Sequence, residues 1–194
     1  MLVILDRQHG TKAAGSWHPG AADDLDGDGV VETHEQEARL TTGYIGPAVV
    51  RLYELGHEVI VLGLGNYSYR HSLANAQAAL VRGARVAYVA CHLNAGGGSY
   101  GLVIYHDAGS HDLAQCLAVP LGAIPALSRV VVADTTRFPR ARSTVVGIDA
   151  EHIASVCYEP AFLDQIEHRA LLSSLGLERI GIALADGLHA WGAA

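Results

Sequence analysis

Six short apolar runs alternate with stretches of helical spacing, and this alternation constrains the fold more than any other feature. Leu2–Leu5 and Val59–Leu62 read as buried strands, Val86–Ala90 and Leu102–Tyr105 as a third and fourth strand, and Val130–Val132 and Ile153–Tyr158 as further strand candidates. Between them, residues 34–55 carry helical spacing through Leu40, Tyr44, Val49, Leu52 and Tyr53. Gly43 and Gly46–Pro47 are places for that helix to bend or break, and Gly56 is its cap. A second helix is expected over Leu73–Val81, closed by Gly83, and a third over residues 111–119, ended by Pro120. Leu177, Ile180, Leu184, Leu188 and Trp191 give the last helix its apolar face. Residues 7–32 read as a long loop rich in Gly and Asp. Strands alternating with helices predict an α/β fold. The expectation is one layered domain over residues 1–194, with a twisted, mostly parallel, mixed sheet flanked by helices on both faces.

Composition narrows the function classes. The chain has 194 residues, 50% hydrophobic and only 17% charged, which excludes disorder as the main state. Its net charge is −7, with 13 Lys+Arg against 20 Asp+Glu, and this argues against nucleic-acid binding. No apolar run is long enough to span a bilayer, so membrane insertion is not expected. Met1–Asp6 has no basic leader and reads as a strand, not a signal peptide. Cys91, Cys116 and Cys157 are odd in number and widely spaced, unlike a disulfide framework or a cysteine zinc site.

An acidic loop carries the first chemical signal. Residues 24–35 fit the twelve-residue EF-hand calcium loop. Asp24, Asp26 and Asp28 take positions one, three and five, and Gly29 takes six, where the turn needs positive φ. Val30 would offer its carbonyl, Glu32 takes position nine, and Glu35 is the bidentate twelfth ligand. The preceding Trp17–Gly20 does not look like an entering helix, so the expectation is a lone loop rather than a helix-loop-helix pair. The competing reading is a solvated acidic turn.

Metal-ligand residue types at strand ends form the second signal. His9 follows the first strand, His92 the third, and Glu159 a late one. In α/β sheets, ligands bind at the carboxyl ends of parallel strands, so these three can meet in one cleft. His9 and His92 are therefore a candidate metal pair. With 11 histidines in the chain, the alternative is that both are structural or surface residues.

In order along the chain, these elements resemble the zinc-dependent N-acetylmuramoyl-L-alanine amidases, bacterial and phage cell-wall hydrolases with an α/β catalytic domain. Ile4-Leu5-Asp6-Arg7-Gln8-His9-Gly10 resembles the family's opening I-x-L-D-P-G-H-G, and His18-Pro19-Gly20-Ala21 its D-P-G-A element. Counting back from Gly56 places the family's helix-start glutamate at Glu37. Arg70-His71-Ser72-Leu73-Ala74-Asn75 matches R-x-x-x-A-N, and Ala90-Cys91-His92-Leu93-Asn94-Ala95 matches S-x-H-x-N-A. Gly101 and the Glu159–Gln165 segment complete the set. The chain departs from the pattern at Arg7-Gln8, Leu62-Gly63 and Pro160-Ala161.

The resemblance implies a zinc ion held by His9, Glu37 and His92, with Glu159 as the catalytic acid/base and peptidoglycan as substrate. Asn94 is implied as a substrate contact or a support for the metal site. Glu35 is the alternative to Glu37. Helical geometry separates the two, because residues two apart point to roughly opposite sides at ~100° per residue. If Glu35 binds calcium, Glu37 is free for zinc, and calcium would fix the helix start that presents it. Cys91 should face the core and Cys157 the side of Glu159. Other functions in view are a zinc peptidase or amidohydrolase on another substrate, and a calcium-dependent wall-binding module. A monomer is expected, made in the cytoplasm and acting on the cell wall or periplasm after release of the phage-endolysin kind.

Overall fold

A computed structural model of the chain describes residues 1–11, 16–26, 28–81 and 83–194; Gly27 of the acidic loop lies outside them. The strands are β1 (Leu2–Arg7), β2 (Gly10–Thr11), β3 (Trp17–His18), β4 (Glu58–Leu62), β5 (Val86–Cys91), β6 (Gly101–Tyr105), β7 (Val130–Asp134) and β8 (Ala154–Glu159). The α-helices are α1 (Glu37–Glu54), α2 (Tyr67–Leu80), α3 (His111–Gly122), α4 (Arg169–Leu172) and α5 (Ser174–Ala193).

Six strands make one mixed sheet in the order β4-β1-β5-β8-β6-β7. Pairing is parallel throughout except between β6 and β8, where Leu102 faces Glu159. Alternate side chains divide the core between two faces. Val3, Leu5, Val89 and Val156 pack with α1, α3 and α5, while Leu2, Ile4, Tyr88 and Cys157 pack with α2 and the segment after β7. Both faces are thus covered, as expected of a largely parallel sheet. Helices α1 and α5 approach closely at Gly181, where a Cβ would lie 2.3 Å from the Tyr44 carbonyl oxygen. No described helix is long and apolar enough to cross a membrane.

Several local expectations change. Strand β4 is an edge strand, with Val61 half exposed, rather than buried. Helix α1 begins at Glu37, after a 3-10 turn over Thr33–Glu35, and runs unbroken through Pro47. Helix α2 begins at Tyr67, capped by the Asn66 side chain on the Tyr69 amide. Helix α3 continues past Pro120, which sits in its last turn, where the missing N–H costs a single bond. The long loop contains the antiparallel β2–β3 pair.

Candidate metal centre

Three parallel strands, β1, β5 and β8, deliver the strand-end residues to one edge of the sheet. His9 lies two residues past β1, His92 directly follows β5, and Glu159 is the last residue of β8. Glu37 is the first residue of α1. The loop before α1 is zipped to the helix start, because the Glu37 N–H donates to the Ala21 carbonyl at 2.8 Å and the Ala38 N–H to that of Pro19 at 2.9 Å. Gly20 sits in this wrap at φ +79°, and a Cβ there would lie 2.5 Å from Glu37 Oε2 and 2.9 Å from His9 Cδ2. Only glycine fits at that point.

The ligand atoms of His9, Glu37 and His92 lie within 4.8 Å of one another. Glu37 Oε1 is 2.9 Å from His92 Nδ1 and 3.5 Å from His9 Nε2. It also accepts the Leu93 N–H at 3.0 Å, while Oε2 accepts that of Ala21 at 2.8 Å. Burial pushes the Glu37 carboxyl up, but the His92 hydrogen bond and the charges of His92 and His9 outweigh it and hold the group below the ordinary carboxylate range. Burial pulls His92 down, and its bond to Glu37 with the charges of Glu37 and Glu159 more than reverses this. The Tyr44 hydroxyl donates to the His92 carbonyl at 3.0 Å and fixes the backbone there.

Proton bookkeeping shows what this cluster lacks. The Gly20 N–H donates to His18 Nδ1 at 3.3 Å, so that nitrogen is an acceptor. His9 Nδ1 lies 3.0 Å from the same atom and must therefore be the donor. A neutral His9 then carries its lone pair on Nε2, facing a carboxylate oxygen. His92 Nε2 is buried with no hydrogen-bond partner among the described residues. Lone pairs aimed at one another or at nothing are relieved by a cation. Two imidazoles and one carboxylate fit the three protein donors of a catalytic zinc site.

Glu159 stands beside this cluster, half-buried. Burial raises its carboxyl pKa, aided by the Glu37 charge and opposed by His92, Cys157 and Asn94. Cys157 Sγ is 3.6 Å from Glu159 Oε1, on the same side of β8, as expected, and is buried. Cys91 faces the opposite core, with Tyr44. Asn94 bridges to Phe162, and its side-chain oxygen accepts the Ala95 N–H at 2.8 Å. It lines the same cleft as Glu159.

Glu35 is directed elsewhere. Its Oε1 accepts the Leu25 and Asp26 N–H groups at 2.6 and 3.2 Å, and its Oε2 that of Glu32 at 2.9 Å. Around it, Asp24 accepts from Gly29 at 2.8 Å, Asp26 from Asp28 at 3.1 Å and Asp28 from Val30 at 2.8 Å. Gly29 has φ +90°. Asp24, Asp26 and Glu35 form one metal-capable group, and Asp26, Asp28 and Glu32 another.

Residue-type reasoning places His18 only within a motif and misses its role as the acceptor for His9 Nδ1. The short spacing from His9 to His18 and Gly20, across the β2–β3 pair, is the signal that points to it.

No family model and no curated protein matches the sequence. Solved structures do resemble it. Cwp6 from Clostridium difficile superposes with a TM-score of 0.73 at 15% identity, covering 96% of this chain. This chain spans 28% of Cwp6's length. The catalytic domain of CwlV, an N-acetylmuramoyl-L-alanine amidase from Bacillus (Paenibacillus) polymyxa var. colistinus, matches at TM-score 0.69 and 16% identity, over 96% of this chain and 95% of that one. The catalytic domain of the CD27L endolysin, which targets Clostridia difficile, gives 0.69 and 17%, over 97% and 96%. What the chain shares with these proteins, along nearly its whole length, is their α/β fold.

Proposed function

We propose that this chain is a zinc-dependent hydrolase of the amide bond between N-acetylmuramic acid and L-alanine in peptidoglycan, acting at the cell wall as one catalytic domain over residues 1–194. The observation that carries the reading is the convergence of His9, Glu37 and His92 beside Glu159, in a fold shared with CwlV and the CD27L endolysin. All four residues come from one chain, so a monomer suffices.

His9 Nε2, His92 and Glu37 would hold the zinc. Bound there, it would supply a Lewis acid that polarises the scissile carbonyl and acidifies a water molecule. Glu159 takes the proton of the attacking water and returns it to the leaving amine nitrogen of L-alanine. A carboxylate at the end of β8, beside the cluster, is placed for both halves of that exchange. Asn94, in the cleft beside Glu159, contacts substrate or supports the metal site. A second, structural ion is proposed in the acidic loop. Calcium, held by Asp24, Asp26, Asp28, the Val30 carbonyl, Glu32 and Glu35, would fix the start of α1 and so the position of Glu37.

Mass spectrometry of digested peptidoglycan tests the reading, with Glu159→Gln as the control. Free stem peptides beginning with L-alanine and intact glycan strands are expected from the wild type only. Cuts within the stem peptide would move the enzyme to the peptidases. No products with zinc bound would favour a wall-binding module.

A further inference from the structure

We propose that Arg137 and Arg140 form a carboxylate-binding subsite beside Glu159, which reads the free carboxylate of the second residue of the peptide stem. This rests on the amidase reading above. Arg137 and Arg140 line a cleft of ≈ 250 Å³ together with Phe138, Ile104, Asn94 and Glu159. Among the described residues, neither guanidinium makes a hydrogen bond or ion pair. The Arg137 guanidinium stacks over the Phe138 ring, 5.6 Å from its centroid. Some arginines of the chain have acceptors, while Arg39, Arg129, Arg142 and Arg179, which do not line this cleft, make no side-chain hydrogen bond or ion pair among the described residues. Arg51 pairs with Asp186 and Arg70 with Asp6, while Arg85 and Arg169 donate to the carbonyls of Trp191 and Asp24. What sets Arg137 and Arg140 apart is their place: two exposed guanidinium groups share one cleft with the proposed base, in a chain of net charge −7.

The segment that carries them is held in place. Asp134 Oδ1 accepts the Thr136 and Arg137 N–H groups at 2.9 and 3.2 Å. Thr144, at the end of the 3-10 turn Pro139–Thr144, is tied through its carbonyl to His71 Nε2 at 3.0 Å. Ala141 is buried in the core beneath. The planar guanidinium matches a carboxylate with paired hydrogen bonds. Neither arginine lies within ion-pair distance of Glu159, so the base is not neutralised by them.

Peptidoglycan supplies such an anion. The residue after L-alanine is D-glutamate joined through its side-chain carboxyl, which leaves its α-carboxylate free or capped as an amide. The subsite would prefer the free acid and orient the stem so that the L-alanine nitrogen lies toward Glu159.

The test compares two synthetic substrates of the zinc-loaded enzyme, N-acetylmuramoyl-L-alanyl-D-glutamate and its α-amide. The wild type is expected to favour the free acid by about 10- to 100-fold in kcat/KM, mostly through KM, which is the worth of a hydrogen bond to a charged group. In Arg137→Gln/Arg140→Gln the ratio should approach one. A ratio near one in the wild type, or one that persists in the double variant, overturns the subsite and leaves the amidase reading standing. If neither substrate is cut, and peptidoglycan is not cut either, the amidase reading fails and the subsite with it.

Discussion

Two buried carboxylates lie near the end of β1, and they are treated in opposite ways. Asp6, wholly buried, faces a permanent cation: Arg70 Nε lies 2.8 Å from Oδ1. The Tyr88 hydroxyl and the Gln8 amide also donate to it, and Arg70 is further tied to the Gly65 carbonyl and to Gln8 Oε1. Glu37, 3% exposed, faces two histidines, which carry charge only when protonated. One cluster is closed, with its counter-charge covalently built in. The other is open, with lone pairs converging on one place. A buried carboxylate with a resident guanidinium is scaffold, and one with titratable neighbours is a place where a cation can come and go.

The contrast breaks first at Arg70. Arg70→Met leaves Asp6 buried without its cation, and the loss of stability should be about 3–5 kcal/mol, read by denaturant unfolding. Glu37→Gln should do the reverse. Its histidines can shed their protons, so the metal-free fold stays near wild type while zinc affinity falls by more than the about 10- to 100-fold typical of an outer-shell change. If Glu37→Gln destabilises the metal-free protein as much as Arg70→Met does, the distinction between scaffold and site fails.

The contrast sharpens at His18, which is exposed and touches no proposed ligand atom directly. It accepts from His9 Nδ1, and that bond sets which nitrogen of His9 faces Glu37. His18→Ala should weaken zinc binding by about 10- to 100-fold in a chelator competition, without shifting the melting temperature of the metal-free protein. His18→Asp restores an acceptor and should recover most of the affinity. Equal zinc affinity in all three proteins would show that the His9 tautomer is set elsewhere.

The sequence exposes some of this and hides the rest. The strands and a largely parallel sheet that brings His9, His92 and Glu159 to one edge were legible, because apolar runs mark strands and parallel strands share their carboxyl ends; the order of the strands was not. Glu37 was legible only through the resemblance, by counting back from Gly56; helical geometry does not separate it from Glu35 as expected, because Glu35 lies in a 3-10 turn before α1. Pro120 misled, since a proline in a last turn costs too little to end a helix packed against α5. Strand β4 misled as well, because an apolar run does not say whether a strand is central or at the edge. The Asp6–Arg70 pair spans 64 residues, and no local pattern announces such a contact.

A third carboxylate tests how far the contrast reaches. Glu35 is as buried as Asp6, yet the partners on its two oxygens are backbone N–H groups of Leu25, Asp26 and Glu32. Among the described residues no arginine or histidine makes an ion pair with it, His34 being the nearest titratable base, and Asp24, Asp26 and Glu32 crowd more negative charge around it. Three N–H dipoles hold a carboxylate in place, and a calcium ion would answer the charge of the whole group. At calcium about tenfold above its Kd, linkage predicts a gain of about 1.4 kcal/mol. For a chain of this size that is a rise in melting temperature of about 3–5 °C. Glu35→Gln should abolish the rise, and so should Asp28→Asn, an exposed change that leaves the fold intact. Selective removal of calcium with zinc retained should also lower activity, because the start of α1 carries Glu37. An equal melting temperature with and without calcium would place Glu35 with Asp6, as a carboxylate the fold satisfies by itself.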